Sequence, residues 1–343
     1  MNETKRQTEL DVLRLIATLA VIMIHAGLKI STDSAGVQRM YWGIHAAIVW
    51  CVPAFFMVSG RFFLDPARDV SIKKIFSKYI PHLVIPFLVW TAVFTAYYII
   101  SGTYDNLNIF GIATEFIHGP YHLWFLYALA GLYLLTPLLR KISADDKLMA
   151  YFLILFGIIN IVLEYLVYLP KVGGIIETFI ESLGLQVLSG YAGYFMLGYY
   201  LYSKRESISG KKEIAAYIIG ALMFVGTIAA ECLATQEMRE SDFIKQYLKP
   251  NVIIYSAAIY LFFIKRVSLL RFSEKAKRIL AKLTEYGFGV YCIHAIINEF
   301  VQTPSFASLP LITSLLRVVC LYFISLVLTW LIRKIPFVGK KIT

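Results

Sequence analysis

Two side chains that hydrocarbon tolerates poorly fall on one helical stripe near the start of the chain. Asp11, Arg14, Thr18 and His25 follow one another at spacings of 3, 4 and 7, which puts them on a single face of a helix. Arg14 and His25 are 11 positions apart, roughly 16 Å along the axis at 1.5 Å per residue. They share a face but sit at different depths. An ionisable group inside a spanning helix costs several kcal/mol unless it meets a partner or a water-filled cavity. With the N-terminus on the cytoplasmic side, Arg14 lies near the inner boundary and His25 past the middle of the bilayer. A histidine at that depth can act as a general base, and an arginine nearer the boundary can hold an anion. The plainer alternative has Arg14 snorkelling to headgroups with Asp11 as its partner, and His25 donating to a neighbouring carbonyl.

Three further clusters carry chemistry. Val52 to Arg61 combines Pro53, which interrupts the backbone pattern, with Ser59 and Gly60, which permit close approach of a backbone or a ligand. Arg61 with Lys73, Lys74 and Lys78 makes a basic mouth suited to phosphates, although positive-inside anchoring accounts for any one of these lysines equally well. Gly119 to Phe125 brings His122 beside Tyr121 and Trp124, a pairing that also serves as ordinary interfacial anchoring. Tyr286 to His294 places another histidine in a late span, with Asn298 one turn on and Glu299 after it. His45 and His82 are read as packing residues.

The elements that position these groups are apolar and numerous. Of 343 residues, 59% are hydrophobic and only 16% charged, and the mean hydropathy is +0.68. A soluble domain is about 45–50% apolar and about 25% charged, so an ordinary cytosolic enzyme, a disordered chain and a secreted disulfide scaffold are excluded. Ten stretches are long enough to cross a membrane: Val12 to Leu28, Trp42 to Val58, Ile80 to Ile100, Trp124 to Leu139, Met149 to Leu169, Leu185 to Tyr202, Ile214 to Cys232, Pro250 to Ile264, Tyr286 to Val301 and Leu309 to Ile332. With both termini cytoplasmic, the intervening segments place 25 Lys and Arg inside and 7 outside. That asymmetry follows the positive-inside rule and accounts for the net charge of +11 without nucleic acid. No cleavable leader is expected, since Arg14 and His25 interrupt the first apolar run. Cys51, Cys232, Cys292 and Cys320 form no metal-binding or disulfide pattern. Neither a metal nor a tightly bound cofactor is expected. The reading is an all-α integral membrane protein of about ten transmembrane helices, residues 1–343 forming one domain with no linker and no internal repeat.

Taken together, the four clusters resemble the acyltransferase-3 family of bacterial membrane acyltransferases. The family's basic residue, ten intervening residues and histidine are matched by Arg14 and His25, and its P-x-F-F-x-x-S-G stretch by Pro53, Phe55, Phe56, Ser59 and Gly60. Its H-L-W-[FY] and Y-L-x-x-P-L motifs are matched by His122 to Phe125 and Tyr133 to Leu138, and its late Y-x-x-H by Tyr291 and His294. The order runs over nearly the whole chain. Stand-alone surface-polysaccharide O-acetyltransferases and the membrane half of vancomycin-resistance serine racemases are similar. One departure concerns the second cytoplasmic loop, where many relatives carry R-x-x-R and this chain has Lys73, Lys74 and Lys78, point charges without the bidentate fork.

The resemblance implies a membrane O-acyltransferase of the bacterial inner membrane. Such an enzyme takes an acyl group, acetyl being the expected one, from cytoplasmic acyl-CoA and delivers it to a hydroxyl of a cell-surface or lipid-linked glycan. It implies His25 and Arg14 as catalytic residues. The donor would be bound by Arg14, Ser59, Arg61, Lys74 and Lys78, and the acceptor by His122, Trp124 and His294. A covalent acyl-enzyme on His25 or a tyrosine stays open. The competing readings are a transporter or flippase that moves its substrate unaltered, and a serine-handling membrane module.

Overall fold

The computed structural model describes residues 6–27, 35–104, 108–167, 169, 171–184, 188, 190–233, 247–301 and 309–343, and among these all regular structure is helical. The first helix, α1 (Thr8–Ile22), is rich in Leu, Ala and Ile and runs without a break into a π-helical turn, Met23–Gly27. There follow α2 (Ala35–Ile48) and α3 (Cys51–Phe63), parted only by a turn at Val49 and Trp50. Pro53 falls in the first turn of α3, where a missing N–H costs no helical hydrogen bond. Next come α4 (Ile80–Ile100), α5 (Ile109–His118), α6 (Trp124–Ser143), α7 (Asp146–Gly157) and α8 (Gly173–Ser182). The remainder are α9 (Ala192–Lys204), α10 (Gly210–Leu233), α11 (Pro250–Lys265), α12 (Glu274–Phe300), α13 (Pro310–Ile332) and the short α14 (Gly339–Ile342).

Among the described residues seven helical stretches are long and apolar enough to cross a membrane: Ala35–Phe63, Ile72–Ile100, Trp124–Ser143, Asp146–Val167, Gly210–Leu233, Pro250–Leu269 and Pro310–Ile332. Each contains one of the ten expected spans or nearly all of it. The other three expected spans do not qualify, so the count of ten is not reached. α1 carries Glu9, Asp11 and Arg14, and α12 opens with a charged half from Glu274 to Glu285. α9 has only 13 residues, and part of the expected span from Leu185 lies outside the described residues. The chain is nonetheless an all-α membrane protein.

Lipid supplies no hydrophobic drive between helices, so small residues must let backbones close in. At the α3–α9 crossing a Cβ on Gly60 would stand 1.8 Å from the Phe195 carbonyl oxygen, and one on Gly198 2.1 Å from that of Met57. The two helices therefore lock through reciprocal glycines. The expected close approach at Ser59–Gly60 is met by a backbone.

Basic residues gather at one end of the bundle. Arg140 donates to the carbonyls of Phe63, Asp65 and Arg68 and holds the loop after α3. Glu213 pairs with Lys265 and Arg266 at 3.1 and 2.6 Å, and Lys204 with Asp146 at 2.6 Å. At the opposite end Lys249 meets Glu164 at 2.6 Å, Tyr41 donates to the Pro310 carbonyl, and Arg317 donates twice to Asn298. α14 folds back on α4, where the Trp90 indole donates to the Ile342 carbonyl.

Candidate active site

A cavity of about 360 Å³ runs through the bundle between α1, α3, α4, α6 and α12. Its walls extend from Thr284 and Glu285, at the basic end, to His122, Trp124 and His294. Thr284 and His294 alone are roughly 15 Å apart along α12. Six of the expected site residues, Arg14, His25, Ser59, His122, Trp124 and His294, line this one cavity. The helical stripe in α1 is thus its wall, with Arg14 and Thr18 toward one end and His25 toward the other.

Arg14 is not paired with Asp11. That carboxylate takes Arg6 at 2.5 Å and the Thr284 hydroxyl at 3.2 Å, so the snorkelling pair considered from sequence does not form. The Arg14 guanidinium instead lies 5.0 Å from the centre of the Phe62 ring, with no hydrogen-bonded side-chain partner among the described residues. A cation–π contact leaves the in-plane N–H edges available. A cation so placed is equipped to meet an anionic group in the cavity.

His25 falls within the π-helical turn that ends the first helix. Such turns change the register of one side chain relative to the regular helix and recur at functional sites. Its ring centre lies 5.5 Å from His294, 6.3 Å from His122 and 5.2 Å from Tyr121, and His122 and His294 are 5.3 Å apart. The backbone settles the tautomers of the two neighbours. His294 Nδ1 stands 2.7 Å from the Tyr291 carbonyl and 3.3 Å from that of Val290. Carbonyl oxygens only accept, so Nδ1 carries the proton and Nε2 is a bare acceptor. In the same way His122 Nε2 faces the Cys292 carbonyl at 3.4 Å, which leaves Nδ1 bare. His122 Nδ1 and His294 Nε2 are both buried without a hydrogen-bond partner. Among the described residues no group of three or more His, Cys, Asp or Glu side chains is arranged to hold a metal ion.

The segment before α6 is held so that His122 faces the cluster. Gly119 has φ +71°, a conformation that favours glycine, and a Cβ there would also come within 2.6 Å of the Phe87 ring. The Tyr291 hydroxyl donates to the His122 carbonyl and ties this segment to α12. Trp124 lines the same end of the cavity, stacked on Tyr247 at 5.6 Å and 26° and flanked by Tyr191 at 5.5 Å.

Three expected donor residues lie elsewhere. Arg61 belongs to a second cavity at the basic end. Lys74 pairs with Asp69 at 2.5 Å with both side chains largely exposed, and lines neither cavity. The Lys74 hydrogen bond holds the Asp69 carboxyl below its ordinary value. Lys78 lines neither cavity and lies 5.7 Å from the Tyr79 ring. The helix that starts after Ser71 turns these lysines toward the surface.

His82, read from sequence as a packing residue, lines the first cavity and stacks on Phe288 at 5.2 Å. Tyr133 and Tyr291, quoted only as motif residues, also line it, as does Tyr247, for which no sequence signal existed. Tyr247 is brought there by the loop ahead of α11, where Tyr194 donates to its carbonyl at 2.6 Å.

Comparison with protein families matches residues 7–334 to a family model described as an acyltransferase domain. Comparison with curated proteins gives no match, and comparison with solved structures gives none either.

Proposed function

For this chain, which belongs to the acyltransferase-3 family, we propose acyl transfer through the first cavity, from acyl-CoA at the basic end to an acceptor hydroxyl at the histidine end. The basic end faces the cytoplasm on the positive-inside rule, which puts both termini there, and the membrane is the inner membrane of a bacterium. The acceptor is a cell-surface or lipid-linked glycan, and the group moved is acetyl. The observation that carries this reading is a single cavity with an unpaired Arg14 toward one end and three converging imidazoles at the other.

The roles follow from geometry and charge. His25 takes the proton of the acceptor hydroxyl as its oxygen attacks the thioester carbonyl carbon. The C–S bond then breaks, the CoA sulfur leaves with the electron pair, and the proton on His25 passes to it. An O-acyl ester and CoA thiol result. While His25 holds that proton one of its N–H groups faces the reacting atoms, and the bare Nε2 of His294, the nearer of the two neighbouring histidines, is an acceptor on the side of the other. The His294 ring centre stands 5.5 Å from that of His25, against 6.3 Å for His122. Arg14 meets negative charge on the donor side. Trp124 and Tyr247 offer a flat aromatic wall to the apolar face of a sugar ring.

Purified protein incubated with acetyl-CoA and a lipid-linked glycan extract should release free CoA and yield an acylated glycan seen by mass spectrometry. Glycan movement across proteoliposomes without CoA release would instead establish the transporter reading.

A further inference from the structure

The second cavity, about 570 Å³ at the basic end, is lined by five cationic side chains, Arg6, Arg61, Arg68, Arg205 and Lys277, against the three carboxylates of Glu9, Asp65 and Glu206. Two aromatic rings order the arginines. The guanidiniums of Arg61 and Arg205 lie 3.8 and 4.1 Å from the centre of the Tyr202 ring. Those of Arg68, Arg14 and Arg61 lie 4.3, 5.0 and 5.9 Å from the centre of the Phe62 ring. Arginine and aromatic ring thus alternate from Arg205 through Tyr202, Arg61 and Phe62 to Arg14. Because Arg14 lines the first cavity and Arg61 and Arg68 the second, Phe62 stands at the partition between them.

Among the described residues the cations are incompletely matched. Asp65 engages Arg61 through Nη1 at 2.6 Å, while the buried Arg61 Nε has no hydrogen-bond partner. Arg68 has no hydrogen-bonded side-chain partner among the described residues. Arg205 donates from Nη1 to the Tyr202 carbonyl at 2.6 Å, and its Nε lies 3.3 Å from the Glu206 carboxylate, which is 87% exposed. A guanidinium held over a ring keeps its orientation, and the N–H groups that the protein has not taken up, the fork of Arg68 and the remaining N–H groups of Arg61 and Arg205, can meet a phosphate. Lys74 and Lys78 line neither cavity.

We propose that this second cavity binds the phosphates of the donor's nucleotide, with Arg68 as a fork and Arg61 and Arg205 through their remaining N–H groups, and that the acyl-bearing arm passes beside Phe62 to Arg14. The inference rests on the acyl-CoA reading for the name of the nucleotide, but its chemistry, several phosphates on ring-stacked arginines, stands on the geometry of the second cavity. Anionic phospholipid headgroups carry the same phosphate chemistry, so the test must tell the two sources apart.

The test is calorimetry of the full chain in detergent with adenosine 3′,5′-bisphosphate, the nucleotide end of CoA without its thioester arm. Wild type should bind it saturably, and Arg68→Ala and Arg205→Ala should each bind about tenfold or more weakly. Arg68→Lys should fall between, keeping the charge and losing the fork. Each variant is first checked for a monodisperse peak and an unchanged thermal midpoint, and Arg205→Gln replaces any that fails. Bisphosphate binding that both variants weaken supports the site even if no acyl-CoA is turned over, in which case only the donor reading falls. Unchanged affinity in both variants overturns the proposal, as does turnover of acetyl-CoA by a protein that does not bind the bisphosphate. A parallel arm in nanodiscs compares anionic with neutral lipid. Stabilisation of wild type but not Arg68→Ala by anionic lipid, with no bisphosphate binding, makes this a headgroup site and overturns the nucleotide assignment.

Discussion

His294→Ala should slow acyl transfer without abolishing it, and the size of the effect follows from the bare nitrogen that His294 holds beside His25. His294 Nε2 is buried, unprotonated and without a partner, and its ring is the nearer to His25, 5.5 Å between centres against 6.3 Å for His122, so it can accept the N–H of a His25 imidazolium that is not passing the proton. A hydrogen bond to a charged group contributes about 1.5–3 kcal/mol. Losing one should therefore lower kcat by about 10- to 150-fold, while KM for acyl-CoA, set at the other end of the cavity, stays within a few-fold. His25→Ala removes the base itself and should cost about 10²–10⁴-fold or more. The decisive comparison is made on the His25→Ala background, where there is no imidazolium to stabilise and adding His294→Ala should change the residual rate by less than about threefold. CoA release followed by chromatography, with thermal midpoints in detergent as the folding control, measures all four proteins. A full 10-fold or larger loss on the His25→Ala background, or no loss in His294→Ala alone, would refute this account of the histidine cluster.

Other outcomes follow from the same geometry. Gly60→Ala must part α3 from α9 by about 1.2 Å to bring its Cβ from 1.8 Å to the 3.0 Å that real contacts keep, a strain of about 1–3 kcal/mol or more; its thermal midpoint should fall clearly, while Gly131→Ala, which meets nothing within 4 Å, should not move. Arg14→Ala should weaken acetyl-CoA binding in calorimetry, with Arg14→Lys restoring part of it; wild-type affinity in the alanine variant would remove Arg14 from the donor side. Cysteines placed at Lys211 and Lys275 should be labelled from the cytoplasmic side and one at Lys171 from the other; labelling of all three from one face would contradict the proposed topology. Burial pushes the Asp65 carboxyl up, but hydrogen bonds from Arg61 and the Ala67 amide outweigh it and hold it below its ordinary value of 3.8. The resulting stabilisation is full above that value and is lost as pH falls through the lower folded one, so acid unfolding should begin at higher pH in wild type than the neutral-pH gap to Asp65→Asn implies, the two curves converging in acid.

What the sequence determined by itself is one-dimensional. Helical periodicity on one segment is enough to put Arg14 and Thr18 on a common face, because nothing beyond 3.6 residues per turn is needed, whereas the π-helical turn at Met23–Gly27 means that only the structure shows His25 lining the same cavity. The charge asymmetry of the loops foretold the gathering of Arg6, Arg61, Arg68, Arg205 and Lys277 at one end, since that sorting is imposed segment by segment. Motif likeness marked His122, Trp124 and His294 without saying why they belong together. Only tertiary structure decided that His122 and His294 close around His25 with Trp124 in the same cavity wall, because three separate helices, α1, α6 and α12, and the Gly119 turn contribute to that meeting. It also decided the tautomers, which depend on the carbonyls of Tyr291 and Cys292, and these are alike in every residue type. The donor-side assignment divided along the same line. Lys74 and Lys78 look equivalent to Arg61 as charges in a sequence, yet local helix geometry turns them to the surface, while the ring of Tyr202, about 140 positions further along the chain, stacks on Arg61 and helps form a cavity. A charge can be read from one residue, but whether it is free to bind a ligand depends on its neighbours in space.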